Sequence, residues 1–197
     1  MSVVVENTIT VRHPHTYLGE VMSDLPDNVY LCKGITGCGA TSLALTNDVP
    51  YVVIVPYISA IENKTEQAEN SHVKGVKAGV TVKDIIDHIS DMKDKGERLK
   101  LITTYDSFYK CYEAINTLGM LQEFKLCIDE AHVLVSLAKI KGACFNFLYR
   151  HFRLFKSYVF ITATPNDKSL LPKAIQDVEF IRVVWDAAEK VEITEQR

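Results

Sequence analysis

Seven short apolar runs set the limits on how this chain folds. They cover residues 28–32, 51–55, 73–76, 99–103, 125–129, 157–162 and 180–185. Most are continuous rather than alternating, the pattern of strands buried on both faces. Helix-like stretches lie between them, at 41–46, 59–69, 82–95, 107–118, 133–139 and 145–155. The 82–95 stretch gathers Val82, Ile85, Ile86, Ile89 and Met92 on one face and leaves Asp84, Asp87, Asp91 and Lys95 elsewhere. This alternation predicts an α/β fold, with a mostly parallel central sheet and helices on both faces. A ligand site in such a fold lies outside the carboxyl ends of the strands.

Three polar segments sit just after such runs. The first is Gly34-Ile35-Thr36-Gly37-Cys38-Gly39-Ala40-Thr41-Ser42. It matches the phosphate-loop pattern G-x-x-x-x-G-K-[ST] at every fixed position except the seventh, where Ala40 stands in place of lysine. Glycines let the backbone curl so that its N–H groups converge, and the helix that follows adds the positive end of its dipole. Thr41 holds the hydroxyl position that meets Mg²⁺ in such loops. An ordinary tight turn is the competing reading, and the placement between strand and helix counts against it.

The second segment, Asp129-Glu130-Ala131-His132, follows the run 125–129. Asp129 at a strand tip suits the water shell of Mg²⁺, and Glu130 suits the orientation or deprotonation of an attacking water. Two solvated acids at a strand end would look the same. The third, Thr162-Ala163-Thr164-Pro165, is by itself a generic strand-to-turn sequence.

Taken in this order, the three segments resemble the first, RecA-like motor domain of superfamily 2 helicases, the group of DEAD- and DEAH-box proteins. The resemblance covers residues 28–165 and extends to two weaker segments. Pro56 and Tyr57 follow the second run, and Thr103, Thr104 and Tyr105 follow a later one. It implies ATP and Mg²⁺ as cofactors, bound by Gly34, Thr36, Gly37, Cys38, Gly39, Ala40, Thr41 and Ser42. Thr41 and Asp129 would serve the metal, with Asp129 and Glu130 as the catalytic pair. His132, Thr162, Ala163 and Thr164 would couple the sites. Pro56, Tyr57, Thr103, Thr104 and Tyr105 would face nucleic acid, DNA or RNA.

Two departures qualify this. Ala40 removes the ammonium that such loops place between phosphates, a donor worth about 3–4 kcal/mol in an active site. Lys33 lies one residue outside the motif and is expected to point elsewhere. The family also works with two motor domains, so a second domain or partner protein is implied. Three readings stay open: an ATP- and nucleic-acid-binding domain of this type, a catalytically degenerate module with a structural or partner-binding role, and an unrelated phosphate-binding α/β protein.

Composition fits one domain over 1–197. Hydrophobic residues make up 47% and charged residues 24%, and no repeat or linker interrupts them. The net charge of −3 gives no global basic field, so any nucleic-acid surface is a local patch. No apolar run reaches about 18 residues, which predicts no membrane span. The start of the chain lacks the pattern of a signal peptide. Five cysteines without a C-x-x-C pair predict reduced thiols, hence a cytoplasmic protein, or one in the host cytoplasm if phage-encoded. Cys38, beside a helix N-terminus, is a candidate for a lowered thiol pKa, with space-filling as the default role. His13-Pro14-His15 reads as a surface turn rather than a metal site. Tyr149, Arg150, His151, Arg153 and Lys156 read as a snorkelling helix face.

Overall fold

The computed structural model describes residues 7–12, 15–67 and 70–186. His13 and Pro14 of the sequence-level candidates lie outside these. Eight strands form one sheet: β1 (Asn7–Val11), β2 (Val29–Cys32), β3 (Tyr51–Val55), β4 (Val73–Val76), β5 (Lys100–Thr104), β6 (Lys125–Ile128), β7 (Ser157–Thr162) and β8 (Glu179–Trp185). Their order is β1-β8-β2-β7-β6-β3-β5-β4. Every pairing between neighbours is parallel. The helices are α1 (Ala40–Thr46), α2 (Ile58–Thr65), α3 (Val82–Asp94), α4 (Phe108–Thr117), α5 (Val133–Ser136) and α6 (Ala138–His151). This is the α/β architecture expected from the sequence, a parallel central sheet with helices on both faces.

The continuous apolar runs are explained by two separate cores. In β3, Val52 and Ile54 join one cluster while Tyr51, Val53 and Val55 join the other. The first cluster takes Ile85 and Ile89 of α3, Phe108, Cys111 and Ile115 of α4, and Phe145 and Leu148 of α6. The second takes Leu43, Ala44 and Leu45 of α1 and Ile61 of α2. A strand covered on both faces has no polar side to alternate with. β1 was not anticipated. It is an edge strand whose residues are mostly exposed, and its sequence NTITV carries too little apolar signal.

Several helix boundaries differ from the expected ones. α2 ends at Thr65, short of the expected 69, and residues 68 and 69 lie outside the described ones. The stretches 133–139 and 145–155 become α5 and a longer α6, with a non-helical residue at Lys141. Arg153 bonds Asp177, and His151 packs on Tyr112 and Phe147, so much of the basic 149–156 segment is engaged within the fold. Among the described residues, no helix is long and apolar enough to cross a membrane.

The amino ends of the central strands carry an unusual anchor. Lys100 is fully buried at the start of β5. Its Nζ donates to Ala44 O in the last turn of α1 at 2.7 Å, to Asn47 Oδ1 at 2.6 Å, and to Val49 O. Helix carbonyls at a C-terminus lack intrahelical donors, and the Lys100 side chain supplies one, while burial pushes its pKa down to about 7. The far end of α1 is thereby tied to the sheet. Lys100→Met is expected to strand main-chain carbonyls in the core and cost about 2–4 kcal/mol. A urea denaturation series on the two proteins measures that loss.

Candidate phosphate-loop site

The chain leaves β2 at Cys32 and turns sharply. Lys33 donates its N–H to Thr162 O at 2.8 Å, and its carbonyl accepts from Trp185 Nε1 at 2.7 Å. The main chain of Lys33 is therefore fixed from both sides. Gly34, Gly37 and Gly39 follow at φ of 73°, 71° and 78°. This left-handed region is open to glycine and strained for other residues. Gly39 is the N-cap of α1 and offers no side chain to its first turn. The amides of Ala40, Thr41 and Ser42 therefore begin a helix without a side-chain cap. Cys38 holds the loop down: it is buried, and its carbonyl accepts from Leu18 N at 2.9 Å.

Residues 37–42 line a cleft of about 590 Å³ together with Tyr17, Lys33, Lys64, Asp129 and Glu130. Gly34 and Thr36 do not line it; Gly34 makes the turn, and Thr36 is exposed near the loop tip. Ser42 receives a hydrogen bond from Lys64 Nζ at 2.8 Å. Lys64 comes from α2, and nothing in the loop sequence points to it.

Asp129 follows β6 directly and is held by four contacts. Its N–H donates to Ile54 O at 2.9 Å, and its carbonyl accepts from the buried Tyr105 hydroxyl at 2.9 Å. Its Oδ2 accepts from the Thr41 hydroxyl at 2.7 Å, and its Oδ1 accepts from Glu130 N at 2.9 Å. The pair expected to serve a metal is thus in contact. Among the described residues no cluster of three or more His, Cys, Asp or Glu could hold an ion unaided. One hydroxyl and one carboxylate oxygen suit a hard cation that takes its remaining ligands from phosphate and water, as Mg²⁺ does.

The largest departure from the sequence reading is Lys33. It does not point elsewhere. Its side chain is 7% exposed, and Nζ lies 3.2 Å from both Asp129 Oδ1 and Glu130 Oε1. Burial opposes its charge, but the two carboxylates outweigh that and hold the ammonium above its ordinary pKa. Asp129 thus meets Lys33 on one oxygen and Thr41 on the other.

The third segment joins the same edge. Glu130 adopts φ of 52°, and its Oε2 lies 3.2 Å from His132 Nδ1. The same ring nitrogen is 3.1 Å from Thr162 Oγ1. Thr164 N donates to that hydroxyl oxygen at 3.1 Å, while Asn166 Nδ2 reaches His132 O at 3.2 Å. Ala163 is half-buried between the two threonines. A continuous path of contacts therefore runs from Thr41 through Asp129, Lys33, Glu130 and His132 to Thr162.

Two expectations are corrected. The Cys38 thiol is raised, not lowered: desolvation outweighs the loop amide and Lys33. Thr103 and Tyr105 do not share a surface with Pro56 and Tyr57. Thr103 is fully buried and donates to Val76 O at 3.1 Å, and Tyr105 packs edge-on against Phe145. Thr104, between them, lines a second cleft of about 360 Å³ with Pro56, Tyr57, Lys77 and Lys141.

No protein-family model and no curated protein sequence matches the chain. Among solved structures it is similar to the crystal structure of the Pyrococcus furiosus Hef helicase domain, at a TM-score of 0.45 and 16% identity. The likeness covers 93% of this chain and 36% of that one, so the chain spans about a third of that structure's length.

The loop glycines are not equivalent. A Cβ on Gly34 would meet Val183 O at 2.9 Å and Trp185 Cδ1 at 3.4 Å, whereas one on Gly37 meets nothing within 4 Å. Gly34→Ala is expected to cost about 2–4 kcal/mol, from strain and overpacking together. Gly37→Ala carries the strain term, about 1–2 kcal/mol. Denaturation midpoints of the two variants test the difference.

Proposed function

We propose that this chain is a helicase-like P-loop module that binds ATP with Mg²⁺ in the loop cleft and nucleic acid across the second cleft. The observation that carries the reading is the 2.7 Å hydrogen bond from Thr41 to Asp129. It joins the first turn of the loop helix to the tip of β6, two segments 88 residues apart. Thr41 and Asp129 are the residues that would hold the metal, whose charge would offset that of the phosphates. The loop amides and the start of α1 would receive phosphate oxygens. Glu130 would orient a water, and His132, in contact with both Glu130 and Thr162, would pass its position on. Pro56, the exposed Tyr57 and Thr104 would meet a nucleic-acid strand, and Lys77 and Lys141 would contact it only by leaving their partners Glu62 and Asp106. A second motor domain or partner protein would complete the machine.

Titration calorimetry with ATP and Mg²⁺ tests this reading, and absence of binding at millimolar nucleotide sinks it. Thr41→Ala is expected to weaken binding about tenfold when Mg²⁺ is present and little in its absence. Phosphate release with and without single-stranded DNA or RNA then reports turnover.

A second reading, a module that binds without turning over, is favoured by Ala40. Ala40 is 3% exposed, so the position usually given to lysine carries a small, mostly covered residue at the cleft wall. That reading expects Glu130→Gln to leave function intact. The catalytic one expects the same change to lower turnover by about 10²–10⁴ while binding persists.

A further inference from the structure

We infer that Lys33 is the phosphate-gripping lysine of this loop, moved from the seventh position of the motif to the strand end that precedes it. The inference rests on the proposed nucleotide site and assigns it a residue outside the motif.

Four observations support it. The loop has the glycine geometry and the hydroxyl of its pattern but carries a buried methyl group at position 40. Lys33 lines the same cleft as residues 37–42. Its ammonium and the Thr41 hydroxyl sit on the two oxygens of one carboxylate, which places Nζ beside the first turn of α1. The main chain of Lys33 is pinned at both its N–H and its carbonyl, by Thr162 and Trp185, so the side chain projects from a fixed base.

The chemistry agrees. The Lys33 ammonium faces two carboxylates and makes one contact of 3.2 Å with each. A polyphosphate entering the cleft brings acceptor oxygens of higher charge density. A lysine has three donors, so Nζ can turn one toward phosphate while keeping Asp129. Lys64, which lines the same cleft, is bonded to Ser42, whereas Lys33 is bonded to Asp129 and Glu130.

The alternative is that Lys33 merely balances buried acids. Charge-conserving variants separate the two. Lys33→Met removes the ammonium. Lys33→Met with Glu130→Gln removes one charge of each sign, so the local net charge equals that of the native chain and Asp129 is kept. Binding of ATP with Mg²⁺ is measured by calorimetry for the native chain, both variants, Glu130→Gln and Lys33→Arg. If Lys33 grips phosphate, Lys33→Met weakens binding about ten- to a hundredfold. The double variant stays equally weak, Lys33→Arg recovers part of the loss, and Glu130→Gln binds at least as well as the native chain. Native-like affinity in Lys33→Met, or in the double variant, overturns the inference. Should Lys33→Met fail to fold around its uncompensated acids, the double variant decides. If the native chain itself binds no ATP, the proposed function fails; if it binds and these variants bind equally, this assignment alone fails.

Discussion

Every strand pairing in the sheet is parallel, and that constraint organises the rest of the molecule. Parallel strands point their carboxyl ends to one edge, so the loops after β2, β6 and β7 gather there although they are distant in sequence. The opposite edge holds Lys100 and Lys125, each buried and bonded to oxygens of the connecting segments. One edge is therefore committed to holding the layers together. The other is free to carry loops of irregular backbone, among them the left-handed turns at Gly34, Gly37, Gly39 and Glu130.

Charge at the loop edge is organised around Asp129. Its four contacts come from β3, the loop after β5, α1 and its own neighbour Glu130, so the carboxylate has little freedom to move. Lys33 adds a fifth partner from β2's end. A buried ion pair of this kind contributes less to stability than its Coulomb attraction suggests, because both charges lose water. Its value lies in fixing which way each group faces. Tyr105, buried and bonded to the Asp129 carbonyl, belongs to this support rather than to a surface.

The sheet was legible because strands covered on both faces leave continuous apolar runs. β3, β4 and β7 fall on the residues that their sequences predict. β1 was not legible, because an edge strand with Thr8 and Thr10 has no apolar run to show. The loop glycines were legible from spacing, and the Thr41–Asp129 pair only through the resemblance of the two segments to a motor domain. Lys33 was not, since a lysine beside a loop reads as surface, and its burial depends on two acids 96 and 97 positions away. Lys64 escaped for the same reason. The segment 103–105 was misread because neighbouring residues at a strand end alternate sides. Thr104 faces a cleft while Thr103 and Tyr105 face the core.

The contact between Trp185 and the start of the loop has a practical consequence. The chain contains one tryptophan. Its indole N–H donates to the Lys33 carbonyl, and its ring borders Gly34. The tryptophan emission therefore arises at a single place, beside the turn that leads into the phosphate loop. The molecule carries its own optical reporter, placed where a rearrangement of Lys33 or Gly34 changes the polarity around the indole.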